Sequence, residues 1–275
     1  MNIKKDSFWR KIIAGLGELT EISSTSIPNI SSGVDLIFLA CDINDDLSDG
    51  DGRSRNTITV DLNHHNVLLM EGLYSLSKVL SPVYFEKVLS SLYSSALGQQ
   101  QDAFFIIDPY DISIPTEEKY FINITSKSGQ LCKILYWSVA TSHISPSQET
   151  ALLSFCEYLG ISGQLYNDAQ DIGTSEKNDL KDLKATLPLI KACCNSLNKS
   201  DKFLSLLRKH HMGDVSLRKP IIQYISDCGA IDYTLILSSM YVKKALSELT
   251  RNFPDKTEEI INITQFLQQG ERGNG

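Results

Sequence analysis

Helical periodicity is the feature of this sequence that most limits its fold. Residues 66–80, 149–170 and 233–253 repeat apolar side chains at the three- and four-residue spacing of one helix face. Alternating strand patterns are nearly absent. Segments rich in Pro, Gly and polar turn formers separate the helical stretches at 81–83, 108–118, 142–149, 173–179 and 217–220. "SIPTEE" and "SPSQE", within two of these breaks, are typical of capped helix starts. We therefore expect an all-α bundle of roughly eight to ten helices, forming one domain over residues 1–275.

Composition excludes several classes of protein. Hydrophobic residues make up 42% of the 275 residues and charged residues 21%, as in ordinary globular proteins. The net charge of -7 argues against a nucleic-acid partner, which would require a basic surface. No apolar run approaches the ~20 residues of a membrane span, and the amino terminus lacks a signal-peptide cleavage site, so we expect a cytoplasmic protein. The six cysteines form no CxxC pair and lie among apolar residues, which predicts reduced core thiols.

An acidic motif, "ACDINDDLSDGDG" at residues 40–52, directly follows an apolar run. Like charges at helical spacing cost about 0.2–0.5 kcal/mol per pair, so this face requires positive charge nearby, unless it is a solvated helix end. A calcium-binding EF-hand is excluded, because Leu47 and Arg53 stand where that loop needs glycine and glutamate. The aspartates that would share one helix face are Asp42, Asp45, Asp46 and Asp49.

A second acidic motif lies far downstream, within residues 163–190. Asp168 and Asp171 share a helix face, Asn167 stands where a third carboxylate could lie, and a lysine-bearing loop follows. Two such clusters on facing helices could hold several Mg²⁺ ions jointly with substrate phosphates. The predicted metal ligands are Asp45, Asp46, Asp49, Asp168 and Asp171.

The order of these motifs resembles the trans-isoprenyl diphosphate synthase (polyprenyl synthetase) family. Asp45, Asp46 and Asp49 match its first DDxxD motif, and "LGISGQLYNDAQD" matches the second with Asn167 replacing one aspartate. "TSKSGQL" resembles the family's lysine-bearing helix, "NDLKDLKATLPLI" its lysine loop, and the matches run from about residue 33 to residue 255. The resemblance implies an all-α class I isoprenoid synthase fold with a central prenyl-diphosphate cavity. It also implies a homodimer, with an amino terminus shorter than usual.

The resemblance further implies Mg²⁺-dependent ionisation of an allylic prenyl diphosphate of the farnesyl or geranyl type. Lys127, Gln164 and Lys184 would be the catalytic residues that also bind substrate, with Arg55 as a further diphosphate contact. Small residues at the fifth and fourth positions before Asp45 would leave room for the prenyl tail, so we expect donors of about fifteen carbons or more to be accepted. These two residues are Ala40 and Cys41.

Departures from the family leave the acceptor open. Chain-elongating members carry a basic Gly-Gly-Lys-x-Arg-x-Pro motif, whereas the stretch that we align with it, residues 22–33, has no basic residue. "DINDDLSDGD" is similar to the first motif of the isoprenyltransferases of bacterial competence signalling (ComQ type), which prenylate a tryptophan of a pheromone precursor peptide. We expect that acceptor. The alternatives are a chain-elongating polyprenyl diphosphate synthase, favoured by "TLPLI", a small terpene cyclase, and a non-catalytic subunit of a heteromeric synthase.

Three further features are interpreted as ordinary structure. Lys177 is one residue out of register with the family's lysine, so we expect a surface charge. His64 and His65 are adjacent on a helix and do not face one another, which argues against a metal pair. "GQQQD" at residues 98–102 resembles a Gly-Gln segment of the family, but it is also explained by the polar face of a helix.

Overall fold

The computed structural model describes residues 8–50, 55–108, 110, 114–174, 177–197 and 202–273. Within these ranges there is no β-strand, and an isolated bridge joins Ile106 and Lys184. The predicted all-α architecture is confirmed. The α-helices are α1 (Phe8–Leu19), α2 (Ile27–Ser48), α3 (Arg55–Ser77), α4 (Pro82–Asp102), α5 (Glu117–Ile124), α6 (Gln130–Trp137), α7 (Pro146–Asp171), α8 (Asp179–Asp182), α9 (Leu187–Leu197), α10 (Lys202–His211), α11 (Arg218–Asp227), α12 (Ala230–Asn252) and α13 (Thr257–Gly273).

The helix count in these ranges exceeds the eight to ten that periodicity predicted. A π-helical turn, Thr125–Gly129, separates α5 from α6 within what periodicity treats as one helix. The single-turn α8 and the 3₁₀ turn Val215–Leu217 are too short to give a periodic signal. Pattern reading therefore located the long helices and merged or missed the short ones.

Local capping explains where α5 and α7 begin. Thr116 caps α5, because its hydroxyl accepts a hydrogen bond from the Lys119 amide at 3.2 Å. At α7 the Ser145 hydroxyl accepts from the Gln148 amide, and the Gln148 side chain accepts from the Ser145 amide at 3.0 Å. This reciprocal capping box satisfies backbone donors that the first turn leaves unpaired. Both predicted helix starts are confirmed.

The core has two large apolar clusters that α7 connects, and a small third one between α2 and α3. Phe155 of α7 belongs to the first cluster, together with side chains of α1, α2, α6, α12 and α13. Leu165, about three turns later, belongs to the second, together with side chains of α5, α9, α10 and α11. Because it is packed on both sides, α7 fixes the position of the second acidic motif at its carboxyl end.

Two glycines hold the π-helical turn between α4 and α7. A Cβ atom at Gly98 would lie 2.4 Å from the Ser126 carbonyl oxygen, and one at Gly160 would lie 2.3 Å from the Ser128 carbonyl oxygen. Neither helix could approach the turn so closely with a larger residue. π-helical turns inside helices occur frequently at functional sites, and this one carries Lys127 and Ser128.

The cysteines are all free, and Cys132, Cys156 and Cys193 are buried as predicted. The core-thiol prediction is wrong for Cys194, which is exposed, and only partly met by Cys41 and Cys228, which are half-buried. None of the helices in the described ranges is both long enough and apolar enough to cross a membrane.

Candidate active site

A cavity of about 270 Å³ lies among helices α1, α2, α3, α4, α6 and α7. Along α2, α4 and α7 its apolar lining residues come one to two turns before its polar ones, so the cavity has a polar end and an apolar end. This shape suits a molecule with an ionic head and a hydrocarbon tail. Its polar residues include Asp45, Gln99, Lys127 and Gln164, and its apolar residues include Phe38, Leu69, Leu92, Leu131 and Leu159.

Two lysines are held between carboxylates, Lys127 at the polar end of the cavity and Lys184 beyond it. Lys127 Nζ lies 2.7 Å from Asp45 Oδ1 and 2.9 Å from Asp102 Oδ2. Lys184 Nζ lies 2.8 Å from both Asp49 carboxylate oxygens and 3.6 Å from Asp102 Oδ2. The predicted positive charge beside the acidic face is therefore present, and Asp102 connects the two lysines.

Burial and ion pairing act in opposite directions on these groups. Burial raises the pKa of Asp45, but Lys127 and Lys184 outweigh it and hold that pKa below its usual value. Burial and the neighbouring Asp45 raise the pKa of Asp49 to about 6, against the opposing effect of Lys184. Burial lowers the pKa of Lys184, yet Asp102, Asp45 and Asp49 together raise it. Burial also lowers the pKa of Lys127, but Asp45 and Asp102 outweigh it and raise that pKa, so both lysines carry charge at neutral pH.

Lys177 also reaches this cluster. Its Nζ lies 3.0 Å from Asp46 Oδ1, and its side chain is 28% exposed. The predicted surface charge is therefore also an ion-pair partner of the first acidic motif, because a long side chain from the loop after α7 spans the offset of one residue.

Asp168 is buried on the facing helix within a chain of hydrogen bonds. The Tyr120 hydroxyl donates to Asp168 Oδ2 at 2.7 Å, and Gln164 Nε2 donates to Asp168 Oδ1 at 2.8 Å. The Ser128 hydroxyl donates in turn to Gln164 Oε1 at 2.7 Å. Burial raises the pKa of Asp168 to about 7, although these hydrogen bonds lower it. Gln164 therefore connects the π-helical turn to the second acidic motif.

The main chain positions Lys184. Leu183 adopts a left-handed conformation with φ of 57°. The Leu183 carbonyl accepts from the Ile107 amide at 2.8 Å, and the Ala185 amide donates to the Phe105 carbonyl at 2.9 Å. These bonds join the loop after α8 to the segment that follows α4, and so bring Lys184 beside Asp102.

The remaining predicted residues have different outcomes. Asp171 is half-buried at the last position of α7, one turn beyond Asp168. The side chain of Arg55 lies outside the described residues, although its backbone begins α3. Cys41 borders the cavity. Ala40 does not: it is fully buried with Leu36 and Leu68, where its small size allows α2 and α3 to pack closely.

One histidine and four missed residues complete the description. His65 Nδ1 donates to the Ala40 carbonyl at 2.8 Å. Gln99 Nε2 donates to Asp45 Oδ1 at 2.9 Å. Asn123 Nδ2 donates to Asp102 Oδ1 at 2.6 Å. Sequence reasoning did not select Gln99, Asp102, Tyr120 or Asn123, and the only signal for any of them was the Gly-Gln segment that contains the first two.

The aspartates do not form a metal site without a ligand. In the part of the chain that the structure describes, no three His, Cys, Asp or Glu side chains converge closely enough to hold a metal ion. Mg²⁺ is usually bound through one or two carboxylates together with substrate phosphates and water. The carboxylates therefore fit Mg²⁺ in combination with a diphosphate, which would supply the missing oxygen ligands.

Comparison with known proteins agrees with this geometry. The family model for polyprenyl synthetase matches residues 16–225. The structure of a polyprenyl synthase from Caulobacter crescentus CB15 superposes with a TM-score of 0.80 at 20% identity, covering 95% of this chain and 84% of that one.

Two curated relatives are informative. Geranylgeranyl pyrophosphate synthase 2 of Zymoseptoria tritici is 26% identical over 63% of this chain, and the match spans 53% of that protein's length. Tryptophan prenyltransferase ComQ of Bacillus spizizenii is 22% identical over 83% of this chain and 81% of that protein. The resemblance drawn from the motifs is confirmed, and the chain belongs to the polyprenyl synthetase family of prenyltransferases.

Proposed function

We propose that this protein uses Mg²⁺ to ionise an allylic prenyl diphosphate and transfers the prenyl group to a tryptophan of a peptide. The observation that carries the proposal is a pair of lysines fixed between aspartates: Lys127 lines the polar end of the cavity, and Lys184 is joined to it through Asp102. The relative ComQ, named as a tryptophan prenyltransferase, supports this acceptor. The solved relative from C. crescentus is complexed with calcium and isoprenyl diphosphate, which supports a divalent metal with the donor.

The lysines would exchange partners when the donor binds. In the structure Lys127 and Lys184 neutralise Asp45, Asp49 and Asp102. A diphosphate offers them stronger charge-assisted hydrogen bonds, and their transfer to it releases the aspartates. Mg²⁺ would supply charge neutralisation of the leaving group. The residues that would hold it are Asp45, Asp46 and Asp49 on one side and Asp168 and Asp171 on the other.

The chemistry then needs a dry cavity and an electron-rich acceptor. The C1–O bond of the donor breaks, and its electron pair leaves on the diphosphate. The indole ring supplies the electron pair for the new C–C bond and loses one proton, which the released diphosphate accepts. Leu92, Leu131 and Leu159 exclude water around the tail, so that the cation is not quenched by hydroxide or water.

Chain elongation is the second candidate function. The named activity of the Z. tritici relative and the retention of Asp168 and Asp171 favour it. Isopentenyl diphosphate would then be the acceptor in place of the indole ring, and the product would be a longer allylic diphosphate.

The proposal also covers the oligomeric state of the protein and its cellular compartment. Both α3 and α4 expose large apolar side chains, including Val67, Met70 and Tyr74 on α3 and Val83 and Tyr93 on α4. Exposed apolar surface of this kind is typical of protein interfaces, and we propose a homodimer through these two helices. Met70→Glu should shift the protein from dimer to monomer in light scattering. The free cysteines suit a reducing compartment, and we propose a cytoplasmic location.

The test supplies donor and competing acceptors together. Protein, Mg²⁺, and farnesyl or geranyl diphosphate are incubated with a tryptophan-containing peptide and with labelled isopentenyl diphosphate. Released pyrophosphate reports ionisation, and mass spectrometry reports prenylation, with a Trp→Ala peptide as control. The expected result is prenylation of the tryptophan peptide alone. Incorporation of the label instead would establish elongation, and absence of pyrophosphate release with every donor would contradict both functions.

A further inference from the structure

A second, larger cavity adjoins the first. It has a volume of about 490 Å³ and is formed by α1, α2, α7, α12 and α13. Trp9, Asp42, Leu159, Gly163 and Asn167 line both cavities, so the two share a wall. Asp42 lies one turn before Asp45, and Asn167 directly precedes Asp168. The junction therefore lies beside the two acidic motifs, where the proposed donor is ionised.

The lining of the second cavity is aromatic, aliphatic and neutral or acidic. No Lys, Arg or His occurs among the described residues that line it. Ser162 and Ser238 hydrogen-bond to each other at 2.9 Å. The polar side chains in the wall that the two cavities share are Asp42 and Asn167. The aromatic residues are Phe8, Trp9 and Tyr166, and the aliphatic ones are Leu159, Val242 and Leu267.

Two basic residues that follow Trp9 are directed elsewhere. Arg10 Nε donates to Asp35 Oδ2 at 2.5 Å, and Lys11 Nζ lies 5.0 Å from the centre of the Phe266 ring. Neither lines the cavity. An anionic acceptor placed here would face the Asp42 carboxylate with no compensating cation from the described residues.

The stretch that we aligned with the family's basic acceptor motif lines neither cavity. Residues 22–33, which we aligned with the family's basic motif, lie in the turn before α2 and in its first turns. The end of this stretch precedes Asp45 by about 18 Å along the helix, and none of its residues lines either cavity. Evidence on the acceptor therefore comes from the residues of the second cavity.

We infer that the second cavity is the acceptor site and that it takes an uncharged aromatic ring carrying an N–H donor. The inference rests on the proposed function and extends it to the residues that select the acceptor. Trp9 and Tyr166 offer faces or edges for ring contacts, and Asp42 and Asn167 offer oxygen atoms that accept from an N–H group. Gly163 keeps the junction open, because a Cβ atom there would meet no atom within 4 Å.

Bulk added to one cavity at a time tests this assignment. Val242→Phe narrows only the second cavity, and Leu92→Phe narrows only the first. The probes are N-acetyltryptophanamide as acceptor and farnesyl diphosphate as donor, with Mg²⁺. For Val242→Phe we expect the KM of the acceptor to rise about tenfold or more while the donor KM changes less than about twofold; Leu92→Phe should show the reverse. Thr150→Phe, on the exposed face at the start of α7, is the matched control.

The outcomes separate this inference from the proposed function. If Val242→Phe fails to fold, the smaller change Val242→Leu replaces it, with the same two KM measurements, because Val242 lines only the second cavity. An unchanged acceptor KM in a folded variant would overturn the inference while leaving prenyl transfer intact. The inference would also be overturned if the wild type incorporated isopentenyl diphosphate and Val242→Phe raised the KM for that substrate, because the cavity would then accept an anion. Absence of pyrophosphate release in the wild type would overturn the proposed function, and this inference with it.

Discussion

Two glycines three residues apart on α7 should respond oppositely to the same substitution. A Cβ atom at Gly160 would lie 2.3 Å from the Ser128 carbonyl oxygen and 2.8 Å from its carbonyl carbon, so backbone must move. Overpacking of this kind costs about 1–3 kcal/mol. At Gly163 the new methyl group would meet nothing, and replacement of glycine inside a helix stabilises by roughly 0.5–1 kcal/mol.

These free energies convert to measurable shifts in melting temperature. For a chain of this size, each kcal/mol of change in the free energy of unfolding shifts the melting temperature by about 2–4 °C. Gly160→Ala should therefore lower the melting temperature by about 2–12 °C, and Gly163→Ala should raise it by about 1–4 °C. Differential scanning fluorimetry and urea unfolding, on the same preparations, would measure both.

Gly160→Ala should also lower the rate of pyrophosphate release, because the backbone that must move carries Ser128 and adjoins Lys127. Gly98→Ala, which meets the same turn from α4, should repeat both effects. Similar melting temperatures for Gly160→Ala and Gly163→Ala would refute the reasoning, since they would show that the π-helical turn is not held by the close approach of α7.

Three further results are expected. Mg²⁺ and inorganic pyrophosphate together should raise the melting temperature more than the sum of their separate effects, and Asp45→Asn should abolish this excess. If the variant showed the same excess, the first acidic motif would be only a solvated helix end. Without ligands, the native protein should bind a proton at Asp168 between about pH 4 and pH 7 that the unfolded chain does not bind. Its stability should therefore fall as pH rises through that window, and Asp168→Asn should flatten the slope in melts taken from pH 5 to 7.5. Cys41→Phe should shift donor preference toward geranyl diphosphate in product masses, because Cys41 borders the cavity, whereas Ala40→Phe should mainly lower the melting temperature.

The sequence predicted the features that depend on local spacing. Periodicity identified the long helices, and the capping residues placed the starts of α5 and α7. Helical spacing also put Asp45 and Asp49 on one face, where the structure shows them with lysine partners. Each of these inferences needs only residues within about two turns of one another.

Features that depend on contacts between distant segments were missed. Asp102 has a role only because Lys127 and Lys184 approach it from other segments. From the sequence, Tyr120 is indistinguishable from an ordinary core aromatic residue; the structure shows that its hydroxyl donates a hydrogen bond to Asp168. The π-helical turn is equally invisible, because no local pattern marks a close approach of two other helices.

The pocket-lining prediction for Ala40 failed for a related reason, and residues 22–33, aligned with the acceptor motif, line neither cavity. Both were assigned by alignment with a family motif, and alignment does not show which face of α2 a residue occupies or how far along it lies. The structure places Ala40 against α3, and none of residues 22–33 lines either cavity.

The attachment of Lys184 through the main chain has a consequence for how this protein tolerates change. The bonds that bring the lysine to Asp102 use the amide and carbonyl groups of Phe105, Ile107 and their partners. Phe104 and Ile106, in the same segment, are 79% and 52% exposed. Side chains at these two positions are therefore free to diverge, since amides and carbonyls are common to every residue except proline, which lacks the amide hydrogen. Substitutions at these two positions should therefore leave Lys184, the proposed cation for the leaving group, in place.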